Sequence, residues 1–215
     1  MLLTLLFMKR FILLTLLCAS IVTAVDLHEN SQQGGFVTVG STGDCNYRAG
    51  DERIQNAIDS GASEVRVTIG TYVENIQINQ RSVVLKGGYS SCAVANSDNQ
   101  DADPSATIID GGDSDTVVRI FGSLDRYAVT LSHLRLTNGR NSDANPGGGI
   151  SLLNADVDLR LNNITIDENT GSQGGGIAIF TGTTNITAHN LMLRNNTAST
   201  GGGIFCDGSG LATIL

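Results

Sequence analysis

At 215 residues with a formal charge of −8, the chain is long enough for one domain with a sizeable core. It is too acidic for nucleic acid or an anionic membrane surface, both of which call for a basic face: without Lys9 and Arg10 of an acid-free leader, 11 basic residues face 21 acidic ones, a net of −10. Aromatics at 5% and the lack of Trp exclude a core built on large rings and favour a thin one of Val, Ile, Leu and Ala, while 26 Gly against 2 Pro assign the turns to Gly, Asn, Asp and Ser.

In chain order, residues 1–24 read as a secretory signal peptide. Lys9 and Arg10 form its positive start, Phe11 to Val22 its apolar stretch, and Val22-Thr23-Ala24 its small-residue cleavage site. The run from Phe11 to Val25 is about 15 residues, short of the roughly 20 a spanning helix needs. Met8 is the natural start, since Met1 to Phe7 would put apolar residues ahead of the charges. Leu17 stands before Cys18 where a lipoprotein signal needs a small residue. No later segment is apolar enough to span a membrane. The expected location is therefore secreted, extracellular or cell-surface. Cys45, Cys92 and Cys206 remain after the leader, an odd count that allows one bridge in any of three pairings.

Residues 25–62 form an N-terminal segment with one short helix: Asp51 can cap it, Ile54, Ala57 and Ile58 make its apolar face, and Gly61 can end it. Such a helix would cover the open end of a β-stack, whose bare strand edge would otherwise invite aggregation. From residue 63 to 215 the pattern is β. Val65, Val67 and Ile69 alternate before a turn at Gly70-Thr71. Ile76/Ile78 and Val83/Leu85 are further strands, Gly87-Gly88 and Gly111-Gly112 are turns, and Ile108-Ile109 and Val118/Ile120 continue the stack.

The C-terminal half carries a repeat. Gly147-Gly148-Gly149-Ile150 recurs as Gly174-Gly175-Gly176-Ile177 and as Gly201-Gly202-Gly203-Ile204, 27 residues apart each time. Val157, Leu159 and Leu161 map onto Thr184, Ile186 and Ala188; Ile164 and Ile166 onto Leu191 and Leu193; Asn169 onto Asn196. The preceding coil, Tyr127 to Leu136, fits with a step of 30, its extra residues falling in the polar stretch 138–145. Fixed-period self-similarity of this length marks a solenoid, and period-two alternation within it marks strands. The alternation slips at Ser132-His133, Asn162-Asn163 and His189-Asn190, which are corners. The expected fold is all-β: a right-handed parallel β-helix with a short N-terminal capping helix. The glycine triplets are its structural turns, needed for positive φ or close backbone approach. Because the last apolar run, Leu211 to Leu215, has no polar cap after it, the expectation is the front part of a longer protein or a truncated gene product.

These motifs resemble a known group. Gly70-Thr71-Tyr72-Val73-Glu74-Asn75-Ile76, then Leu85-Lys86-Gly87-Gly88-Tyr89 with Cys92, then Ile108-Ile109-Asp110-Gly111-Gly112, resemble exported bacterial right-handed β-helix proteins of the pectin-lyase-like superfamily. The glycine triplets, with Ile166-Asp167-Glu168-Asn169 and Leu193-Arg194-Asn195-Asn196 ahead of two of them, resemble the GGAI and FxxN repeats of polymorphic outer-membrane proteins, with Ile or Leu for Phe and Gly for Ala. The resemblance covers about residues 43–215. It implies the fold; the group spans lyases, hydrolases and adhesins.

Candidate sites follow from the register. Cys206 stacks over Ile179 and Leu152 and is expected to be a buried thiol, which leaves Cys45 and Cys92, both in polar loops, as the disulfide. Asp110, Asp113 and Asp115 carry oxygen ligands suited to Ca²⁺, but their spacing fits no full calcium loop, so a solvated turn is expected and no metal or cofactor is assigned. Outward residues stack as Arg135/Thr165/Met192, Thr137/Asp167/Arg194 and Asp158/Asn185, which offers a surface pair of Asp167 with Arg194 and no facing carboxylates. His28, His133 and His189 are scattered, and the chain lacks the Asn-Thr-Asp, Asp-Asp and Gly-His-Gly runs that polygalacturonase-like enzymes would show, so no catalytic residue is assigned. Three glycosylation sequons, at Asn163, Asn185 and Asn195, receive no role. The expected function is a rigid structural or adhesin-like binding module without chemistry of its own, its partner a glycan or a host or cell-surface protein. The alternative is a polysaccharide lyase or glycoside hydrolase whose active site lies outside this chain.

Overall fold

The computed structural model describes residues 35–48, 53–122, 125–141, 147–180 and 182–207, and the backbone of 211–214. The leader, His28 and the expected helix cap Asp51 lie outside the described residues.

In chain order the elements are β1 (Phe36–Val39), α1 (Arg53–Asp59), β2 (Glu64–Thr68), β3 (Gly70–Val73), β4 (Ile76–Asn79), β5 (Val83–Tyr89) and α2 (Cys92–Asn96). A 3-10 turn (Pro104–Ala106) leads to β6 (Thr107–Asp110), β7 (Val118–Phe121), β8 (Tyr127–Thr137), β9 (Ile150–Leu153) and β10 (Val157–Asp167). The last are β11 (Thr170–Gln173), β12 (Ile177–Phe180), β13 (Thr183–Arg194), β14 (Thr197–Thr200), β15 (Ile204–Cys206) and β16 (Leu211–Ile214).

Every strand pairing is parallel, so the chain climbs coil by coil into an all-β solenoid. One face stacks β1, β2, β5, the first halves of β8, β10 and β13, and β16. The second stacks β3, β6 and the second halves of β8, β10 and β13. The third runs β4, β7, β9, β12, β15. A short pairing of β11 with β14, absent from the three-strand scheme, adds a fourth side to the later coils.

The repeat register is observed as read: Val157 lies between Tyr127 and Thr184, and Ile177 between Ile150 and Ile204. The corners fall where the alternation slips, with His133, Asn163 and Asn190 at φ near +55° (55°, 53° and 55°). That is the left-handed region where Asn and His are among the tolerated residues. The leading glycine of each triplet takes positive φ as well (Gly147 105°, Gly174 66°, Gly201 65°). Behind it the backbones close up. A Cβ on Gly148 would sit 2.7 Å from the Gly175 carbonyl oxygen, and one on Gly149 2.6 Å from that of Gly176. Asn169, fully buried, completes the turn: its Oδ1 accepts from Gly139 N at 2.7 Å, and its Nδ2 donates to Leu136 O and to Asn196 Oδ1.

The helix α1 caps the N-terminal end, its Ile54, Ala57 and Ile58 joining the core. Both its ends are tied to the segment around β4. The Glu74 carboxylate accepts from Ile54 N and Gln55 N, and the Arg81 guanidinium donates to the carbonyls of Ile58 and Ala62. Each charge meets the favourable end of the helix dipole. Burial pushes the Glu74 carboxyl above its ordinary range, and the backbone donors oppose that rise.

Three expectations are corrected. Ile69 is 41% exposed instead of continuing the inward row, because β2 ends at Thr68 and the chain bends at Ile69 before β3. The β2–β5 register shifts between Arg66 and Thr68. Gly87-Gly88 makes that shift from within β5; it is no turn after the strand, and Gly88 has φ 82°. Cys206 does pair with Ile179 in the row Ile78–Ile120–Leu152–Ile179, yet it is exposed. Among the described residues no rung covers it, and Ile204 beside it reaches 36% exposure where Ile150 and Ile177 have none.

Candidate functional site

Alternation on the third face turns Ile76 and Ile78, Val118 and Ile120, Ile150 and Leu152 inward. Their neighbours form the outward row Asn79–Phe121–Leu153–Phe180, beside Gln77 and Arg119, whose continuation Ser151 and Ala178 is fully buried beneath the glycine turn. Phe121, Leu153 and Phe180 are half-buried, and the Phe180 ring stacks on Phe205 at 5.1 Å. At the lower end Gln77, Arg119, Phe121, Gly122, Leu153 and Asn154 line an open groove of about 430 Å³. The Arg119 guanidinium is anchored on Asp115 at 2.7 Å, while its Nε is buried without a partner. Among the described residues no carboxylate lines the groove. It offers an apolar floor, two amide side chains and one paired cation. Sequence reading followed the outward rows of the long strands and missed this one. Its signal was an apolar residue directly after the inward Ile120, Leu152 and Ile179.

The other expected sites divide. Cys45 and Cys92 form the disulfide, with S–S 2.09 Å, tying the loop after β1 to α2. Asp110, Asp113 and Asp115 do not converge: Asp110 holds Gly112 N and Asn138, Asp113 meets Arg140, and Asp115 meets Arg119 and Thr116 N. Among the described residues no group of three or more His, Cys, Asp or Glu is placed to hold a metal. The Asp167–Arg194 pair exists, but it is no surface pair. Asp167 is fully buried and also held by Arg135 at 2.9 and 3.0 Å, a diagonal reach from the neighbouring row.

One arrangement looks nucleophilic. Ser132 Oγ lies 2.7 Å from His133 Nδ1, and Asn163 Nδ2 lies 3.1 Å from His133 Nε2. The direction of the bonds argues against activation. Asn190 Nδ2 donates to Asn163 Oδ1 at 2.8 Å, which leaves Asn163 Nδ2 to donate to Nε2. The neutral ring then carries its proton on Nδ1 and donates to Ser132, the reverse of a base withdrawing the serine proton. His189 is exposed at its corner.

Among the described residues no helix is long and apolar enough to cross a membrane. No protein family, curated protein or solved structure matches the chain.

Proposed function

We propose that this chain is a secreted or cell-surface binding module, a stiff β-solenoid of the kind found in the pectin-lyase-like superfamily, that holds an uncharged glycan along its third face. The observation that carries this reading is the outward row Phe121–Leu153–Phe180, which sets apolar side chains at the rung spacing of about 4.8 Å beside the amides of Gln77 and Asn154. Sugar rings have apolar faces that pack on such side chains and hydroxyls that pair with amides. The net charge of −10 without the leader disfavours a polyuronate. The Cys45–Cys92 bridge suits an oxidising compartment.

The test is equilibrium binding of the full chain to a panel of neutral and acidic polysaccharides. Neutral chains are expected to bind, and Phe121→Ala with Leu153→Ala is expected to weaken them at least about tenfold, or 1.4 kcal/mol. Retained affinity in that variant would remove the groove from the reading. Release of reducing or unsaturated sugar would favour the lyase or hydrolase alternative.

A further inference from the structure

We propose that the His133 corner is a proton-operated latch, which adds a side-chain tie across three successive coils while the ring is neutral and loses that tie when the ring is protonated. The chain Asn190 → Asn163 → His133 → Ser132 runs across β13, β10 and β8, and each link donates in the same direction. It needs a lone pair on Nε2. An imidazolium has none, so the Asn163 amide would face a second donor and the coil-to-coil link would break.

The surroundings do not support the charged ring. From β5, Lys86 faces it, its ammonium held by Glu64 of β2 and by Asp98 of the excursion after α2. Asp98 is also occupied by the Tyr89 hydroxyl. From β10 the corner presents neutral Asn162 and Asn163, and on β8 itself Arg135 is engaged by Asp167. The ring packs over Gly88, where an added Cβ would lie 3.2 Å from His133 Cβ. Burial and then the Lys86 charge lower the His133 pKa from its usual value. The unfolded chain therefore binds the proton more readily than the folded one. Stability is complete above the ordinary histidine range and declines as pH falls from there towards the depressed value.

The test uses the full chain. Ring ¹⁵N shifts at neutral pH should show the His133 proton on Nδ1, and a proton on Nε2 would overturn the latch. His133→Asn repeats the residue of the next two corners, tolerates positive φ and cannot titrate. Between about pH 8 and 5 the melting midpoint of the wild type should fall by roughly 2–4 °C relative to H133N, with His189 and His28 common to both. A gap that stays constant with pH would also overturn it. Should H133N not fold, the ring shifts of the wild type decide alone, with the same two outcomes.

Discussion

The lower and upper coils solve the same packing problem in different ways. From β8 upward, one coil follows another by repetition: Val157 meets Thr184 and Ile177 meets Ile204, 27 residues on in each case, and glycine turns and asparagines recur in place. Below, the steps are uneven. Glu64 pairs with Val84, 20 residues on, but Val83 pairs with Val129, 46 residues on, because α2 and the turn after it leave the stack between them. Here each contact is made once: the Cys45–Cys92 bridge, the Glu74 and Arg81 ties on α1, and Arg66 on the Ala95 carbonyl at the end of α2. A repeated coil reuses one stable solution. An end coil faces the helix on one side and cannot reuse it.

The sharpest way to break this comparison is to open the disulfide. Cys92→Ala should cost roughly 3–4 kcal/mol by loop entropy. If the two regions are held independently, amide exchange should quicken in β1 and α2 well before β10 and β13; equal loss in both would merge them into one cooperative unit. Next is Asn169→Ala, which leaves Gly139 N and Leu136 O buried without their partner, at about 2–3 kcal/mol. Urea denaturation should show that loss, with exchange quickening first around β8 and β10. A cost near that of a surface substitution would mean the asparagine column is not what joins the upper turns. The smallest effect belongs to Cys206. Its thiol should label within the native state with the melting midpoint unchanged, and resistance to labelling would show that the last rung is covered.

The fold was legible because it is periodic. Triplets 27 residues apart, with Ile150, Ile177 and Ile204 after them, leave a stacked arrangement as the economical solution, and the corners at His133, Asn163 and Asn190 show as slips in alternation. The strand β1 was not legible, being a single run without a copy. Neither was the groove, since Phe121, Leu153 and Phe180 read individually as ordinary apolar residues and form a row only when their coils are superimposed.

Sequence alone determined the period, the strand character and the residues able to bend the chain, because these depend on local backbone sterics and on side-chain alternation. The tertiary structure decided exposure and partnership: Cys206 is bare because no described rung lies on it, Asp167 is buried because two arginines from adjacent coils close over it, and Glu74 meets α1 because the helix folds back across the stack. Such properties depend on what lies one coil away, and no local pattern in the chain encodes that neighbour.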